Sequence, residues 1–518
     1  MRTCTSGGYQ NLYVGYDKSR LIDRILIFGW GLITYIAVYM AQVIYAGSPG
    51  FGLDDAYIHS AVAKSLVKYH IWGINGEFVS VSTSPLWTLL IVPLEYLGLL
   101  QPLYVQLLSL TMNLISAHLI FAIVLKLTGL RFLALLSSVA FLTAPLTLWG
   151  TVSGLEIPLS SVLLSYYIYS LLTYSNLKKQ GLIAGLLVLT RPEFIVLALL
   201  HLIWLVVSKK KNLAFHYLVW IVILLTPYVY LNLRSHGTVF PTPSYAKTIL
   251  RDVGIFSCGN KNAPYMCIFD HLFIEPIQQL VGAFNKLSLD LVWCILFFGS
   301  LFFAFGNEVG EVKLLACSCI ALLFAQGVFA PSEKLANYFG RYFSIYLPLI
   351  YTLGSYLWYR LNNSSVILAL MWIYSLTYSM PKTLYTVGAS VESTNALYVE
   401  MPKWVARNIP KDAVIATNDI GGLAYFTENR LIDIMGLGSP RIWSFKKQDL
   451  RNFNNPRLPE IITQLLKITG SDYAVLNLRR YRFAKNHPCY ELLRKFSERY
   501  EHGRLISPIG VFEFKCKG

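Results

Sequence analysis

Charged residues are scarce in this chain, so the places where they gather are the places to look for chemistry. The stretch "GFGLDDAYIHS" (Gly50 to Ser60) sets two carboxylates, Asp54 and Asp55, side by side, with His59 in the same stretch and His70 beyond it. A carboxylate can take the proton of a reacting hydroxyl, and adjacent acids offer the oxygen ligands that Mg2+ or Mn2+ prefer. Neighbouring side chains on one strand or helix point different ways, which argues against a shared metal. The sequence requires no cofactor and leaves a divalent cation open. Four more motifs put charge into apolar surroundings: "SGLE" with Glu156, "TRPE" with Arg191 and Glu193, "PSYAK" with Tyr245 and Lys247, and "GRYF" with Arg341. Each has an ordinary reading too. The aspartates can simply turn a polar loop back, Arg191 can pair with Glu193 to cap a hairpin, Lys247 can be a solvated charge, Arg341 can anchor a helix end by snorkelling, and a lone histidine at an interface is usually amphipathic filler. Glu156 is harder to dismiss, because an acid in a short loop between membrane helices is more often functional than decorative.

The elements that must carry these residues are membrane helices. The chain has 518 residues, of which 55% are hydrophobic, 14% aromatic and only 14% charged, with a mean hydropathy of +0.50. That balance lies outside the range of soluble globular proteins and predicts an α-helical polytopic membrane protein. A bilayer takes about 20 apolar residues per spanning helix. The first such segment, Ile25 to Ala46, follows Lys18, Arg20, Asp23 and Arg24 and lacks a small-residue cleavage site. It reads as a retained anchor, with residues 1–24 as a cytoplasmic tail. Further apolar segments recur as far as Met380, so residues 25–380 form a multi-spanning domain.

Short loops rich in Lys and Arg stay on the cytoplasmic side. Lys126 and Arg131, Lys178 and Lys179, Lys209 to Lys211, Lys313 and Arg360 can all lie inside under one threading of eleven transmembrane helices. In it, Leu86 to Leu100 does not cross, and Gly181 to Val207 is a hairpin of two short helices with "TRPE" at its outward tip. The N-terminus is then inside and the C-terminus outside. The loops 47–102 and 234–288, all five charged motifs and the tail 381–518 converge on the extracytoplasmic face of the plasma membrane.

The tail alternates β-like runs with polar helical ones. "AVIAT" (413–417), "RLIDIMG" (430–436), "DYAVLNL" (472–478) and "GVFEFKC" (510–516) read as strands, and "PEIITQLLKITG" (459–470) as a helix ending at glycine. A small extracytoplasmic α/β domain is expected. It carries half of the net charge of +16, a balance suited to an anionic acceptor or lipid surface, and no nucleic-acid partner is expected. Cys258 with Cys267, and Cys489 with Cys516, share outer segments and could form disulfides there. Cys294, Cys317 and Cys319 fall in apolar segments as small core residues.

Taken in order, "DDAYIHSAVAKSLVKYH", "GINGEFVSVSTSPLW" (73–87), "SGLE", "TRPE", "GTVFPTPSYAK" (237–247), "GRYFSIYLPL" (340–349) and the tail motif "NDIGGLAYFTENRLIDIMGLGSP" (418–440) resemble the integral-membrane glycosyltransferases of the GT-C type. The resemblance spans most of the chain. It is greatest to the bacterial branch of terminal β-(1→2)-arabinofuranosyltransferases. It implies transfer of a sugar from a polyprenyl-phosphate donor to a cell-envelope glycan or glycolipid acceptor, with Asp54 or Asp55 as catalytic base. It also implies Arg191, Arg341, Lys247 and Tyr245 as partners of the donor phosphate, and Glu156, Glu193, Thr83 and Ser84 as supporting pocket residues. The chain departs from that branch where Pro241-Thr242-Pro243-Ser244 replaces an Asn-Thr after proline, and where "FVSVS" (78–82) replaces a Glu-Gly pair. The sugar therefore stays open between arabinofuranose, another pentose and a hexose. Two other readings compete: a transporter or flippase for lipid-linked or polar substrates, and a non-catalytic glycan-binding relative.

Overall fold

The computed structural model describes residues 7–173, 179–247, 291–306, 308, 310–329, 338–444, 455–497 and 508–516. Up to residue 395 it is almost wholly helical. Among the described residues three helices are long and apolar enough to cross a membrane: Leu21–Ala46, Pro102–Thr128 and Lys211–His236. Their ends follow from local chemistry. The helix Pro102–Thr128 opens with proline at its first position, where the missing N–H costs nothing, and closes on Gly129 in the left-handed region at φ 70°.

A fourth apolar stretch is broken. The helices Arg131–Thr143 and Pro145–Ser153 meet at 48°, where Pro145 cannot continue the hydrogen-bond ladder. Shorter apolar helices follow at Ile157–Leu172, Gln180–Thr190 and Ile195–Val207. The last two are separated at Arg191-Pro192, where the hairpin tip is expected. The segment at 86–100 is a helix of twelve residues, Pro85–Tyr96, too short to span. Large apolar side chains face outward along the first helix (Ile25, Phe28, Ile33, Ile36), along Lys211–His236 (Phe215, Val222, Ile223) and along Ser365–Asn395 (Val366, Leu370, Tyr374). Such broad exposed apolar faces fit a lipid surround.

The change of composition at Met380 is not a break in the chain. One helix, Ser365–Asn395, runs straight through Pro381 and packs along the first helix. The sheet domain begins only beyond it. Its five strands, β3 (Val414–Thr417), β4 (Arg430–Asp433), β5 (Tyr473–Asn477), β6 (Tyr490–Phe496) and β7 (Ile509–Phe514), lie in the order β4-β3-β5-β7-β6. The β4-β3-β5 pairs are parallel and the β5-β7-β6 pairs antiparallel. The helix Leu458–Thr469 buries Leu458, Ile462, Leu465 and Leu466 against Ala416, Ala474 and Leu476 of this sheet and ends on Gly470 at φ 64°. Cys489 and Cys516 are disulfide-bonded. Cys258 and Cys267 lie outside the described residues.

The sheet domain is clamped onto the first outer loop, which itself folds as the helix Asp55–Tyr69 followed by a small hairpin, β1 (Gly73–Ile74) with β2 (Glu77–Phe78). The short helix Gly421–Phe426 packs against Asp55–Tyr69. Tyr57 stacks between Tyr425 and Phe426, with ring centroids 5.9 and 5.3 Å away. Lys64 Nζ donates to the Tyr425 carbonyl at 2.6 Å, and Asn75 Nδ2 to that of Asn429 at 2.9 Å.

Candidate active site

Asp54 and Asp55 sit where a tightly held loop becomes a helix. The loop is fixed from within the apolar core by two buried glutamines. Gln42 Oε1 accepts from Gly50 N at 3.1 Å, Gln106 Nε2 donates to the Gly50 carbonyl at 2.9 Å, and the two amides bond each other. Gly52 N donates to the Val152 carbonyl at 3.0 Å. Asp54 is then the N-cap and Asp55 the first residue of the helix Asp55–Tyr69.

The other charges are delivered by breaks between helices. In "SGLE", Gly154 adopts φ +70°, and a Cβ there would lie 2.5 Å from the Phe51 ring, so only glycine makes this turn. It sets Glu156 at the start of Ile157–Leu172. Arg191 ends Gln180–Thr190 in an extended conformation, φ −149° and ψ 120°, as a residue before proline must. Arg341 lies on the 3-10 turn Tyr338–Tyr346.

From separate parts of the sequence these residues meet in one chain of ion pairs. Arg341 Nη1 donates to Asp55 Oδ2 at 2.5 Å and its Nη2 lies 3.5 Å from Glu156 Oε1. Arg191 Nη1 donates to the same Glu156 oxygen at 3.2 Å and its Nη2 to Glu193 Oε1 at 3.0 Å. The Tyr342 ring lies beside both guanidinium groups, 5.3 Å from Arg191 and 5.9 Å from Arg341. Glu156, Arg191 and Arg341 are only 2%, 3% and 6% exposed. Burial alone would push the Glu156 carboxyl up, but Arg341, then Arg191, pull harder, and it is held below the usual glutamate range. Burial opposes the charge on Arg341, yet Glu156 and Asp55 raise its pKa above the ordinary arginine value. Both arginines keep a buried Nε–H with no hydrogen-bond acceptor among the described residues. Glu156 Oε2 and Glu193 Oε2 are likewise buried without a partner among the described residues, so the cluster keeps both donors and acceptors to spare.

The remaining candidates stand apart from this cluster. Ser84 is buried at the N-cap of Pro85–Tyr96, and Thr83 is half-buried beside it; among the described residues neither bonds the charged groups. Tyr245 and Lys247 lie on the short helix Thr242–Lys247, with their side chains outside the described residues. That helix is tied to the first outer loop, since Thr242 N and Oγ1 both donate to the Ser80 carbonyl, at 3.1 and 2.6 Å. Among the described residues no three His, Cys, Asp or Glu side chains converge as metal ligands.

Two residues gain weight that the sequence did not give them. His59, expected as interfacial filler, is buried one helical turn after Asp55, on the same face. Its Nδ1 lies 2.9 Å from Thr88 Oγ1 and 3.2 Å from Ser82 Oγ, so it ties the helix Asp55–Tyr69 to the residues flanking "TSPLW". Burial lowers its pKa, Glu156 opposes this and Arg341 adds to it. Asp419, from the sheet domain, also comes within electrostatic reach of Asp55. Neither was legible, because His59 needed the knowledge that its helix is buried, and Asp419 belongs to a distant part of the chain.

Solved structures share this architecture. The chain shares its fold with ArnT from Cupriavidus metallidurans bound to undecaprenyl phosphate, at a TM-score of 0.58 and 11% identity over 94% of this chain and 97% of that one. It also resembles the archaeal oligosaccharyltransferase AglB from Archaeoglobus fulgidus, in complex with an inhibitory peptide and a dolichol-phosphate, at 0.53 and 10% identity over 88% and 69%. At 10–11% identity the likeness to these two proteins is one of fold. More particularly, residues 387–508 match a domain of unknown function, DUF8728. No curated protein matches the sequence.

Proposed function

We propose that this chain is a GT-C glycosyltransferase of the plasma membrane that moves a sugar from a polyprenyl-phosphate donor to an envelope glycan or glycolipid outside the cytoplasm. The observation that carries the reading is the Asp55-Arg341-Glu156-Arg191-Glu193 chain, buried at its three central members, within a fold whose solved members include one bound to undecaprenyl phosphate. In the reaction, Asp54 or Asp55 takes the proton of the acceptor hydroxyl as its oxygen attacks the anomeric carbon. The bond from that carbon to the donor phosphate oxygen breaks with inversion. Charge grows on the departing phosphate, where fixed cations stabilise it most. Arg341 and Arg191 hold it, with Lys247 and Tyr245 on the loop tied to Ser80. Glu156 and Glu193 keep the guanidinium groups in place, while Thr83 and Ser84 border the pocket.

Eleven crossings, with the N-terminus inside and the C-terminal domain outside, put the site on the outer face. The Cys489-Cys516 bond supports that side, since disulfides persist in oxidising compartments. The arabinofuranosyl branch is the favoured relative, and the sugar is to be read from the product.

The test is mass spectrometry of envelope glycans from a deletion strain complemented with wild type, Asp54→Asn or Asp55→Asn at equal membrane expression. One sugar increment should vanish on deletion, return with wild type and stay absent with at least one variant. Full restoration by both variants refutes the role of the pair.

A further inference from the structure

Transfer needs a base, a clamp for the phosphate and a group that aims the acceptor hydroxyl, and the cluster at the membrane face provides only the first two. The C-terminal domain brings a third carboxylate to the same place. Its stretch Thr417–Gly422 is pressed against the aspartates so closely that a Cβ on Gly421 would lie 2.5 Å from the Asp54 carbonyl oxygen, and one on Gly422 2.1 Å from the Tyr398 carbonyl oxygen. The approach is therefore set by backbone contact, not by adjustable side chains.

Within this stretch Asp419 is held from one side only. Its Oδ2 accepts from Asn418 Nδ2 at 2.6 Å and faces the Tyr398 hydroxyl at 3.4 Å. Asn418 is fixed in turn, its Oδ1 accepting from Asn477 N at 2.9 Å, and Thr417 Oγ1 bonds the Asp419 backbone. Among the described residues no hydrogen bond reaches Oδ1, and Asp419 keeps some exposure. Burial raises its pKa, Arg480 lowers it and Asp55 raises it. The next residue, Ile420, lines a cleft of about 260 Å³ between the β1-β2 hairpin and the sheet domain, with Asn75, Glu77, Lys411 and Arg430 around it.

We propose that Asp419 is the acceptor-binding residue, accepting a hydrogen bond at Oδ1 from a hydroxyl of the acceptor sugar and so aiming its neighbour at Asp54 or Asp55. This rests on the transferase reading, and it gives the domain of unknown function a part in the reaction.

The test uses full-length protein reconstituted in membranes of the deletion strain as donor source, with envelope glycan extracted from that strain as acceptor at varied concentration. Asp419→Asn should raise the acceptor KM by about ten- to hundredfold, the worth of one hydrogen bond to a charged group, with a smaller fall in kcat from the lost aim of the hydroxyl. Tyr398→Phe, which removes one support of the carboxylate, should raise KM less, and Asp419→Glu should restore part of the loss. A KM for Asp419→Asn equal to wild type, or a loss confined to kcat, overturns the proposal while leaving the transferase reading intact. A wild-type protein that adds no sugar overturns the transferase reading and this proposal with it.

Discussion

Glu156→Gln separates the carboxylate's charge from its shape. Glu156 Oε1 is shared by Arg191 at 3.2 Å and Arg341 at 3.5 Å, and all three side chains are buried. Removing one member of a buried ion pair costs about 3–5 kcal/mol, because the charge left behind is neither solvated nor compensated. Glutamine keeps an oxygen where Arg191 can still donate, so the loss should fall at the lower end, about 3 kcal/mol at neutral pH. The pH dependence has a definite sign. The folded pKa of Glu156 lies below its ordinary 4.5, so its contribution is fully present above that value and disappears as pH falls through the folded pKa. Glutamine has nothing to lose over the same interval. Unfolding midpoints in lipid nanodiscs should therefore lie well apart for wild type and variant at pH 7 and converge on acidification. A variant as stable as wild type at pH 7, or a gap that stays constant down through the carboxylate range, refutes the reasoning.

Gly421→Ala puts a Cβ 2.5 Å from the Asp54 carbonyl oxygen; overpacking of this kind costs about 1–3 kcal/mol, and the glycan increment should fall in the complemented strain while membrane expression holds. Unimpaired glycan addition would mean that the sheet domain's docking is irrelevant to the site. Cys489→Ser removes the bond that closes a segment of 27 residues in the C-terminal domain. It should cost that domain about 2–5 kcal/mol, seen as faster limited proteolysis of the tail, and dithiothreitol should reproduce the effect on wild type but add nothing to the variant.

Much of this was legible because it rests on local rules. The strands read at "AVIAT", "RLIDIMG", "DYAVLNL" and "GVFEFKC" coincide with β3, β4, β5 and β7, and the helix read at 459–470 coincides with Leu458–Thr469. Their alternation or amphipathic period is set by burial of one face. Strand β6 was missed, since "YELLRKF" buries only its two ends and its pairing slips between Leu492 and Arg494, which erases the period of two. The start of the sheet domain was misjudged for a different reason. Composition changes where lipid ends, but the helix Ser365–Asn395 continues past that point because its other face packs on the first helix. At the site, residue types at helix breaks pointed to Asp54, Asp55, Glu156, Arg191 and Arg341. The Arg191–Glu193 pair, two residues apart, was readable in "TRPE", but Glu156 reaches Arg191 across 35 residues and Arg341 reaches Glu156 and Asp55 across 185 and 286, which no local pattern encodes.

The cost of the cluster is itself an argument about its use. A buried ion pair rarely outdoes apolar packing of the same volume, and this chain, with 14% charged residues, has ample apolar side chains for the purpose. Yet "SGLE", "TRPE" and "GRYF" each interrupt apolar sequence to bring a charge to one point, and Gly154 accepts a left-handed turn to do so. If the charges served only each other, the three acids could satisfy both guanidinium groups completely. They do not: the Nε of Arg191 and of Arg341 is left over within the cluster, and so is the Oε2 of Glu156 and of Glu193. Cations held rigidly by neighbouring acids, each with a donor still to give, need no reorganisation when an anion forms beside them. On the proposed reading, that is what departure of a phosphate requires and what packing alone does not.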